Sequence, residues 1–197
     1  IHFIKMNRSK IIKKQNNINI TFVTCYYKMK SKFPNETYTS WMKNLLDHVK
    51  NFYLVIYTNK ETYDLFDSYK DNKKIKIIIK EFNQFYNYKY KDDFIKNHEN
   101  NHLLKNQVEW NVNMLWSEKT SFVEDCIINN FFNTEYYGWC DIGYFRDSNA
   151  KGWPSNQIIN CLNEEKIYYL LVNDIIDYMK KYTRGRKNGL LRREIKD

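Results

Sequence analysis

The sequence predicts an α/β protein with a mainly parallel sheet that is covered by helices on both faces. Runs of apolar and β-branched residues alternate with segments of helical periodicity, and this order implies crossover connections between parallel strands. The runs lack an alternation of apolar and polar residues, as expected for strands buried on both faces. The 197 residues include 17 Tyr, 12 Phe and 5 Trp, which is enough large apolar surface for a globular fold.

The first half of the chain supplies the strand and helix alternation. Residues 1–17 are polar and basic and are predicted to be a poorly ordered lead-in, and residues 18–197 are predicted to form a single domain. Strand residues are mostly β-branched or aromatic, and the helices place large apolar residues on one face. The predicted elements are strand Ile18–Tyr26, helix Thr37–Lys50, strand Tyr53–Thr58, helix Asn59–Tyr69 and strand Ile75–Ile79.

The second half of the chain interrupts this alternation of strands and helices and then resumes it. Residues 81–106 are polar with scattered aromatics, which is typical of an insertion or an active-site loop. The predicted elements after it are helix Trp110–Asn130, strand Glu135–Cys140, helix Gln157–Asn163 and strand Ile167–Val172. From residue 184 the tail is highly charged. No run of apolar residues is long enough to span a bilayer.

The net charge of +9 arises from 32 Lys and Arg against 23 Asp and Glu. The wealth of Lys, Asn, Ile and Tyr indicates an A/T-rich genome, so a solvated basic surface explains the charge better than a nucleic-acid partner. The interleaved Tyr and Lys of residues 86–91 keep a nucleic-acid-binding module as an alternative. Without a signal peptide we expect a cytoplasmic protein, in the host cell if viral. The cysteines are expected to be buried free thiols: Cys25, Cys126, Cys140 and Cys161.

Several common catalytic motifs are missing from the sequence. There is no GxxxxGK[ST] phosphate loop, no GxGxxG after the first strand and no GxSxG elbow. The segment HENNH, with His98, Glu99 and His102, matches the HExxH pattern of zinc proteases. The surrounding residues are polar, whereas zinc-protease helices have an apolar face, so we set this interpretation aside.

The segment WCDIGYFR, residues 139–146, carries the clearest signal. It places Asp141 at the carboxyl end of a strand, where open α/β sheets bind ligands. Gly143 permits a close approach of the backbone, and Arg146 can pair with a phosphate. These three residue types suit a metal-bound diphosphate. The alternative is a strand end in which Asp141 caps a turn and Arg146 is solvated.

Three segments resemble the HtrL/WlaTC family of glycosyltransferases: VTCYYKMKSKFPNETYTSW, WSEKTSFVEDCI and YYGWCDIGYFR. The resemblance runs from about Ile20 to Trp153, about two-thirds of the chain. It implies a GT-A-like fold that transfers a sugar from a nucleotide-sugar donor to a glycan or protein acceptor, usually with a divalent cation such as Mn²⁺ or Mg²⁺. Because GT-A domains commonly continue with acceptor-side elements, the resemblance implies either a chain truncated at the C-terminus or a minimal form of the domain.

The resemblance assigns Asp141 to the DxD-type acidic motif that holds metal and diphosphate. Gly143 replaces the second acidic residue, so only one carboxylate is available there. This departure keeps a catalytically inactive interaction domain as an alternative.

The same fold would place the nucleotide base or ribose near Thr24, Tyr26 and Tyr27, with tyrosine stacking on the base. The alternative for both tyrosines is ordinary packing. Thr58 is a further candidate at the same edge, and Lys119 is positioned to reach the diphosphate.

The region after the last predicted strand offers candidates for a catalytic base. These are Asp174 and Asp177, with helix capping as the alternative role. The base itself is not identified, so both retention and inversion of the anomeric configuration remain open.

Overall fold

The computed structural model describes residues 3–5, 19–148, 152–155, 157, 159 and 162. In these ranges one sheet has five strands: β1 (Phe3–Lys5), β2 (Ile20–Cys25), β3 (Tyr53–Thr58), β4 (Ile75–Ile79) and β5 (Tyr136–Trp139). Their spatial order is β1-β5-β2-β3-β4. The strands β5, β2, β3 and β4 are parallel to one another, and β1 pairs antiparallel with β5. The predicted α/β class with a mainly parallel sheet is therefore confirmed.

Strand β2 lies at the centre of the sheet. All six of its residues are buried, and Val23 is in register with both Val55 of β3 and Trp139 of β5. A strand paired on both sides and covered on both faces has no solvated position, which explains why its sequence shows no polar alternation.

Helices cover both faces of the sheet. They are α1 (Asn35–Asp47), α2 (Lys91–Glu99), α3 (Trp110–Ser117) and α4 (Lys119–Asn129), with 3₁₀ helices at Tyr63–Tyr69, Phe82–Gln84 and Tyr86–Tyr90. Adjacent residues of β2 point to opposite faces, and they belong to different core clusters. Phe22 packs in the cluster that contains Leu45 and Leu46 of α1, whereas Val23 packs in the cluster that contains Phe122 of α4.

Two predicted helices differ in the structure. The segment predicted as helix 59–69 is a 3₁₀ helix that begins only at Tyr63. The segment predicted as one helix from 110 to 130 is divided into α3 and α4 at Glu118. The physical reason at Glu118 is that its fully buried carboxylate accepts hydrogen bonds from the backbone N–H groups of Tyr86 and Asn87.

Two segments predicted to be irregular contain regular structure. Residues 81–106 include two 3₁₀ helices and α2. Phe3–Lys5, predicted within the poorly ordered lead-in, form β1 because the edge of β5 offers backbone partners. Helix α2 ends at Glu99, so His98 and His102 do not share a helix, as a zinc-protease site would require.

Three of the predicted buried thiols are confirmed. Cys25, Cys126 and Cys140 are buried and form no disulfide. Burial raises the pKa of the Cys126 thiol to about 12, and it also raises the pKa of the other two thiols. Cys161 lies outside the described residues.

Other predictions also fall beyond the described residues. The strand predicted at 167–172, the charged tail, Asp174 and Asp177 are outside them, and the helix predicted at 157–163 is only partly described. Among the helices that are described, none combines the length and apolar character needed to cross a membrane.

Candidate functional site

The order of the strands creates a switch point between β2 and β5. From β2 the chain moves through β3 to β4 on one side of the sheet, and β5 then returns to the other side of β2. The strand order therefore reverses between these two neighbouring strands, and α/β sheets bind ligands in the crevice at the carboxyl ends of strands at such a point. The backbone N–H of Cys140 donates to the carbonyl of Val23 at 2.9 Å, so Asp141 follows immediately at this crevice.

Asp141 forms the charged centre of the crevice. Its Oδ1 lies 2.5 Å from the Lys119 ammonium and accepts a 2.9 Å hydrogen bond from the indole Nε1 of Trp139. The Asp141 side chain is 62% exposed and that of Lys119 is 31% exposed. Desolvation acts to raise the pKa of Asp141, but the Lys119 charge and the two hydrogen bonds outweigh it and lower that pKa. The carboxylate is therefore ionised at neutral pH.

Lys119 reaches this carboxylate because α4 begins at the carboxyl edge of the sheet. It is the first residue of that helix. Its ammonium also lies 5.3 Å from the centroid of the Trp139 ring. Lys119 and Asp141, predicted separately as donor-binding residues, are thus brought together by direct contact.

A preassembled metal site is not formed by the described residues. In these ranges no group of three or more His, Cys, Asp or Glu side chains is placed to hold a metal ion. Asp141 provides one carboxylate, and the charge of that carboxylate is already balanced by Lys119. A divalent cation usually draws on one or two carboxylates together with phosphate oxygens. The described residues therefore do not fit a resident cation.

Gly143 permits a close approach to the backbone, as predicted. A Cβ atom at this position would lie 2.9 Å from Cε3 of Trp41 and 3.6 Å from Cδ1 of Tyr38. Glycine is required because the indole of Trp41, on α1, approaches the backbone, and the binding of a ligand at Gly143 stays a prediction.

Arg146 is also bound to the same indole. Its guanidinium carbon lies 3.5 Å from the centroid of Trp41 and 5.4 Å from that of Phe33. Arg146 is exposed, and stacking engages the faces of the guanidinium while its N–H donors lie in the plane. Arg146 is therefore exposed to solvent, as the alternative predicted, and is also held at the rim of the site by the indole of Trp41.

The two tyrosines predicted to stack on a base are packed into the core. Tyr26 is 5% exposed and donates a 3.2 Å hydrogen bond to Asn35. Tyr27 is 3% exposed, stacks near Phe122 and donates to the carbonyl of Lys80 at 2.9 Å. The prediction of base stacking is wrong for both, because helical layers continue to cover the chain after β2 has ended.

The two threonines at this edge are buried as well. Thr58 donates to the carbonyl of Tyr26 at 2.8 Å, which ties the end of β3 to the chain leaving β2. Thr24 is fully buried, and no described residue is a hydrogen-bond partner of its hydroxyl. Thr24 follows Val23, whose carbonyl accepts from Cys140, so this hydroxyl lies beside the strand end that leads to Asp141.

Glu118 has a structural role next to Lys119. Its carboxylate accepts from the backbone N–H groups of Tyr86 and Asn87 at 2.6 and 3.1 Å and from the side-chain amide of Asn87 at 2.8 Å. These bonds satisfy the buried charge and fix the 3₁₀ helix Tyr86–Tyr90 against α4.

Sequence reasoning missed three aromatic residues of the site. Trp139 donates to Asp141, whereas Trp41 and Phe33 hold Arg146. Trp139 lies two residues before Asp141, and this spacing could have indicated that both side chains lie at the same edge of the sheet. The contact between Trp41 and Arg146 joins positions 105 apart in sequence, and no local pattern indicates it.

Comparison of the chain with protein-family models, with curated proteins and with solved structures found no match. The resemblance to the HtrL/WlaTC family therefore stays a prediction, and the function must be argued from the chemistry of this edge of the sheet.

Proposed function

We propose that this protein is a nucleotide-sugar-dependent glycosyltransferase with a GT-A-like arrangement. The observation that carries the proposal is the pair of Asp141 and Lys119 at the switch point of a parallel sheet. A crevice at this position, with a fixed cation and a carboxylate, suits a ligand that contains both phosphate and hydroxyl groups.

The two charged side chains recognise different parts of such a donor. Lys119 presents positive charge, which favours the diphosphate. Asp141 is ionised and exposed, so that it accepts hydrogen bonds from sugar or ribose hydroxyl groups.

In the proposed reaction the anomeric carbon passes from a phosphate oxygen to an acceptor hydroxyl oxygen. The electron pair of the broken bond leaves with the nucleoside diphosphate, and the hydroxyl proton passes to a base. Lys119 stabilises the charge that develops on the leaving diphosphate, because a preorganised cation needs little rearrangement in the transition state. Asp141 positions Lys119 through their ion pair.

A second candidate is a GT-A-like domain that binds nucleotide without transferring sugar. Two observations favour it: Gly143 occupies the position of the second acidic residue, and Lys119 already neutralises Asp141. Release of nucleoside diphosphate from nucleotide sugars, with and without saccharide acceptors, distinguishes this candidate from the enzyme.

Nucleic-acid binding has one supporting feature in the structure. Tyr86 and Tyr90 are 65% and 48% exposed, and the Lys89 ammonium lies 3.9 and 5.1 Å from their ring centroids. Basic aromatic surfaces of this kind bind single strands with strong salt dependence. A mobility-shift titration at increasing salt concentration tests this function directly.

Thermal unfolding with a panel of nucleoside diphosphates tests the main proposal. Each nucleotide is added with Mn²⁺ and, separately, with EDTA, so that the contribution of a cation is measured by itself. A ligand at about one hundred times its Kd stabilises the native state by about 2.7 kcal/mol, which raises the midpoint of a domain of this size by about 5–10 °C.

The variant Asp141→Asn is expected to reduce this rise, because a neutral amide accepts hydrogen bonds from ribose hydroxyl groups more weakly than an ionised carboxylate does, and Asp71→Asn is the matched control. Asp71 is exposed and lies in the turn before β4, at the opposite edge of the sheet. Asparagine retains an oxygen that can accept from Trp139, so the fold should persist. If no nucleotide raises the midpoint in either arm, or if both variants respond like the wild type, the proposal is wrong.

A further inference from the structure

A cleft of about 520 Å³ lies next to the proposed donor site. Its lining consists of consecutive residues, Met29 to Glu36, in the loop between β2 and α1 and at the start of α1. Because this loop follows β2, it lies at the same carboxyl edge of the sheet as Asp141. The volume is within the range of sites that hold small molecules, which is about 300–1,000 Å³.

Backbone hydrogen bonds fix the loop that forms this cleft. The N–H of Lys30 donates to the Glu109 carboxylate at 3.1 Å, and the N–H of Glu109 donates to the carbonyl of Lys30 at 3.0 Å. The N–H of Lys28 donates to the hydroxyl of Thr62 at 3.1 Å. The loop is thus tied at Lys28 to the segment after β3 and at Lys30 to the start of α3.

Exposed aromatic rings stand on two sides of the loop. Phe33 is 42% exposed and packs edge-to-face on Trp41 at 5.0 Å. Trp116 of α3 is 40% exposed. A π face is negative, and the C–H groups on one face of a pyranose ring carry partial positive charge, so both rings are suited to stack on sugar.

Positive charge surrounds the same rings. The Lys32 ammonium lies 5.2 Å from the centroid of Trp116, and the Arg146 guanidinium stacks on Trp41 beside Phe33. Lys30 adds another exposed cation, and the carboxylates are Glu36 of the lining and Glu109, which accepts from the backbone N–H of Lys30. Cations therefore outnumber carboxylates around the cleft, which favours a negatively charged ligand.

We propose that this cleft binds an acidic sugar, a pyranose that carries a carboxylate or a phosphate, as the acceptor of the transferase reaction. The inference rests on the proposed function for the acceptor role, whereas the binding of the sugar can be measured alone. The cleft adjoins the donor site through Trp41, which contacts Phe33 and Arg146 on one side and Gly143, two residues after Asp141, on the other.

Saturation-transfer NMR with three small probes tests this inference on the full chain. The probes are methyl glucuronide, glucose 6-phosphate and, as the uncharged match, methyl glucoside. We expect saturation of the ring C–H protons of the two anionic sugars, tighter binding of these than of the glucoside, and weaker binding at higher salt. If methyl glucuronide binds more tightly than glucose 6-phosphate, the ligand of the cleft carries a carboxylate. The opposite order of affinities indicates a phosphate.

Two variants separate the stacking from the charge. Phe33→Ala is expected to weaken binding of all probes about three- to tenfold. The double variant Lys32→Gln, Arg146→Gln is expected to lower the affinity for the anionic probes about two- to fivefold for each charge removed. The affinity for methyl glucoside should stay unchanged. Lys96→Gln, at an exposed lysine on α2, is the control and should bind like the wild type.

Equal binding of charged and uncharged sugars, no binding of any probe, or wild-type affinity in the variants overturns the inference. Displacement of a bound sugar probe by nucleoside alone also overturns it, since the cleft would then hold the donor base. The proposed function is judged separately by the nucleotide-induced rise in midpoint and its reduction in Asp141→Asn. Failure of one proposal therefore does not decide the other.

Discussion

The contact between Gly143 and Trp41 makes the substitution Gly143→Ala an informative test of the structure. The added Cβ would lie 2.9 Å from Cε3 of the indole, whereas non-bonded carbon atoms prefer about 3.5–4.0 Å. The indole is packed between Phe33, Tyr38 and the Arg146 guanidinium. It therefore cannot move away without disturbing these neighbours.

Overpacking of this kind costs about 1–3 kcal/mol. For a domain of this size each kcal/mol lowers the melting temperature by about 2–4 °C, so we expect Gly143→Ala to lower it by about 2–12 °C. Differential scanning calorimetry measures this change. The φ angle of Gly143 is not in the left-handed region, so the cost should come from the contact alone.

A double-mutant cycle with Trp41→Ala isolates that contact. In the Trp41→Ala background the cost of Gly143→Ala should fall nearly to zero, which corresponds to a coupling of about 1–3 kcal/mol. Gly152→Ala is the control, because Gly152 has a φ of +74° and no heavy atom within 4 Å of an added Cβ. Its cost arises from backbone strain and should not depend on Trp41. An equal cost of Gly143→Ala in both backgrounds would refute the reasoning.

Three further predictions concern buried and paired groups. Glu118→Gln directs an amide N–H₂ toward the backbone N–H groups of Tyr86 and Asn87. We therefore expect urea titrations to show a free energy of unfolding that is lower by about 1–3 kcal/mol. Glu99→Gln, at an exposed residue, is the control and should have no effect. The pKa of Asp141 is lowered, so its contribution is present above its ordinary value of 3.8 and is lost as the pH falls through the folded value. The stability difference between wild type and Lys119→Met should therefore be small at pH 7, within about 1 kcal/mol, and should vanish in more acidic urea titrations; an acid-independent difference would contradict the pairing. In Cys161→Ser the native protein should not react promptly with a thiol reagent, whereas the unfolded protein should expose three thiols; prompt native labelling would contradict the burial of Cys25, Cys126 and Cys140.

The parallel strands were accessible from the sequence because a fully buried strand has a local signature. The predicted strand at 53–58 has the same bounds as β3, and that at 75–79 has the same bounds as β4. The run of β-branched and aromatic residues is sufficient for this, since no solvated position interrupts it. The position of Asp141 at a strand end follows from the same pattern.

The side-chain partners at the edge of the sheet were harder to predict. Tyr26 and Tyr27 follow a strand end, a position that often faces a ligand, yet both are covered by protein. Whether a residue after a strand faces the core or the crevice depends on the path of the next loop. Here that path is set by the contact of Lys30 with Glu109, which no local period reveals.

The division of the predicted helix 110–130 at Glu118 likewise depends on contacts between residues that are far apart in sequence. Apolar periodicity across residues 110–130 is typical of one helix, and it contains no Pro or Gly to end it. The break accompanies hydrogen bonds from residues 86 and 87, more than 30 positions earlier in the chain. Tertiary contacts thus overrode a consistent local pattern, as they commonly do for helix propensity.

Gly143 and Trp41 connect the two proposed binding regions. The donor region depends on the Asp141–Lys119 pair, which is fixed to a strand end and a helix start, whereas the acceptor cleft depends on a loop braced by Phe33 and Arg146. A displacement of the Trp41 indole would reach Phe33 and Arg146 directly but would leave Lys119 in place. Gly143→Ala should therefore weaken the binding of acidic sugars more than that of nucleotides. Equal loss of both ligands would instead indicate that the two regions form one rigid site.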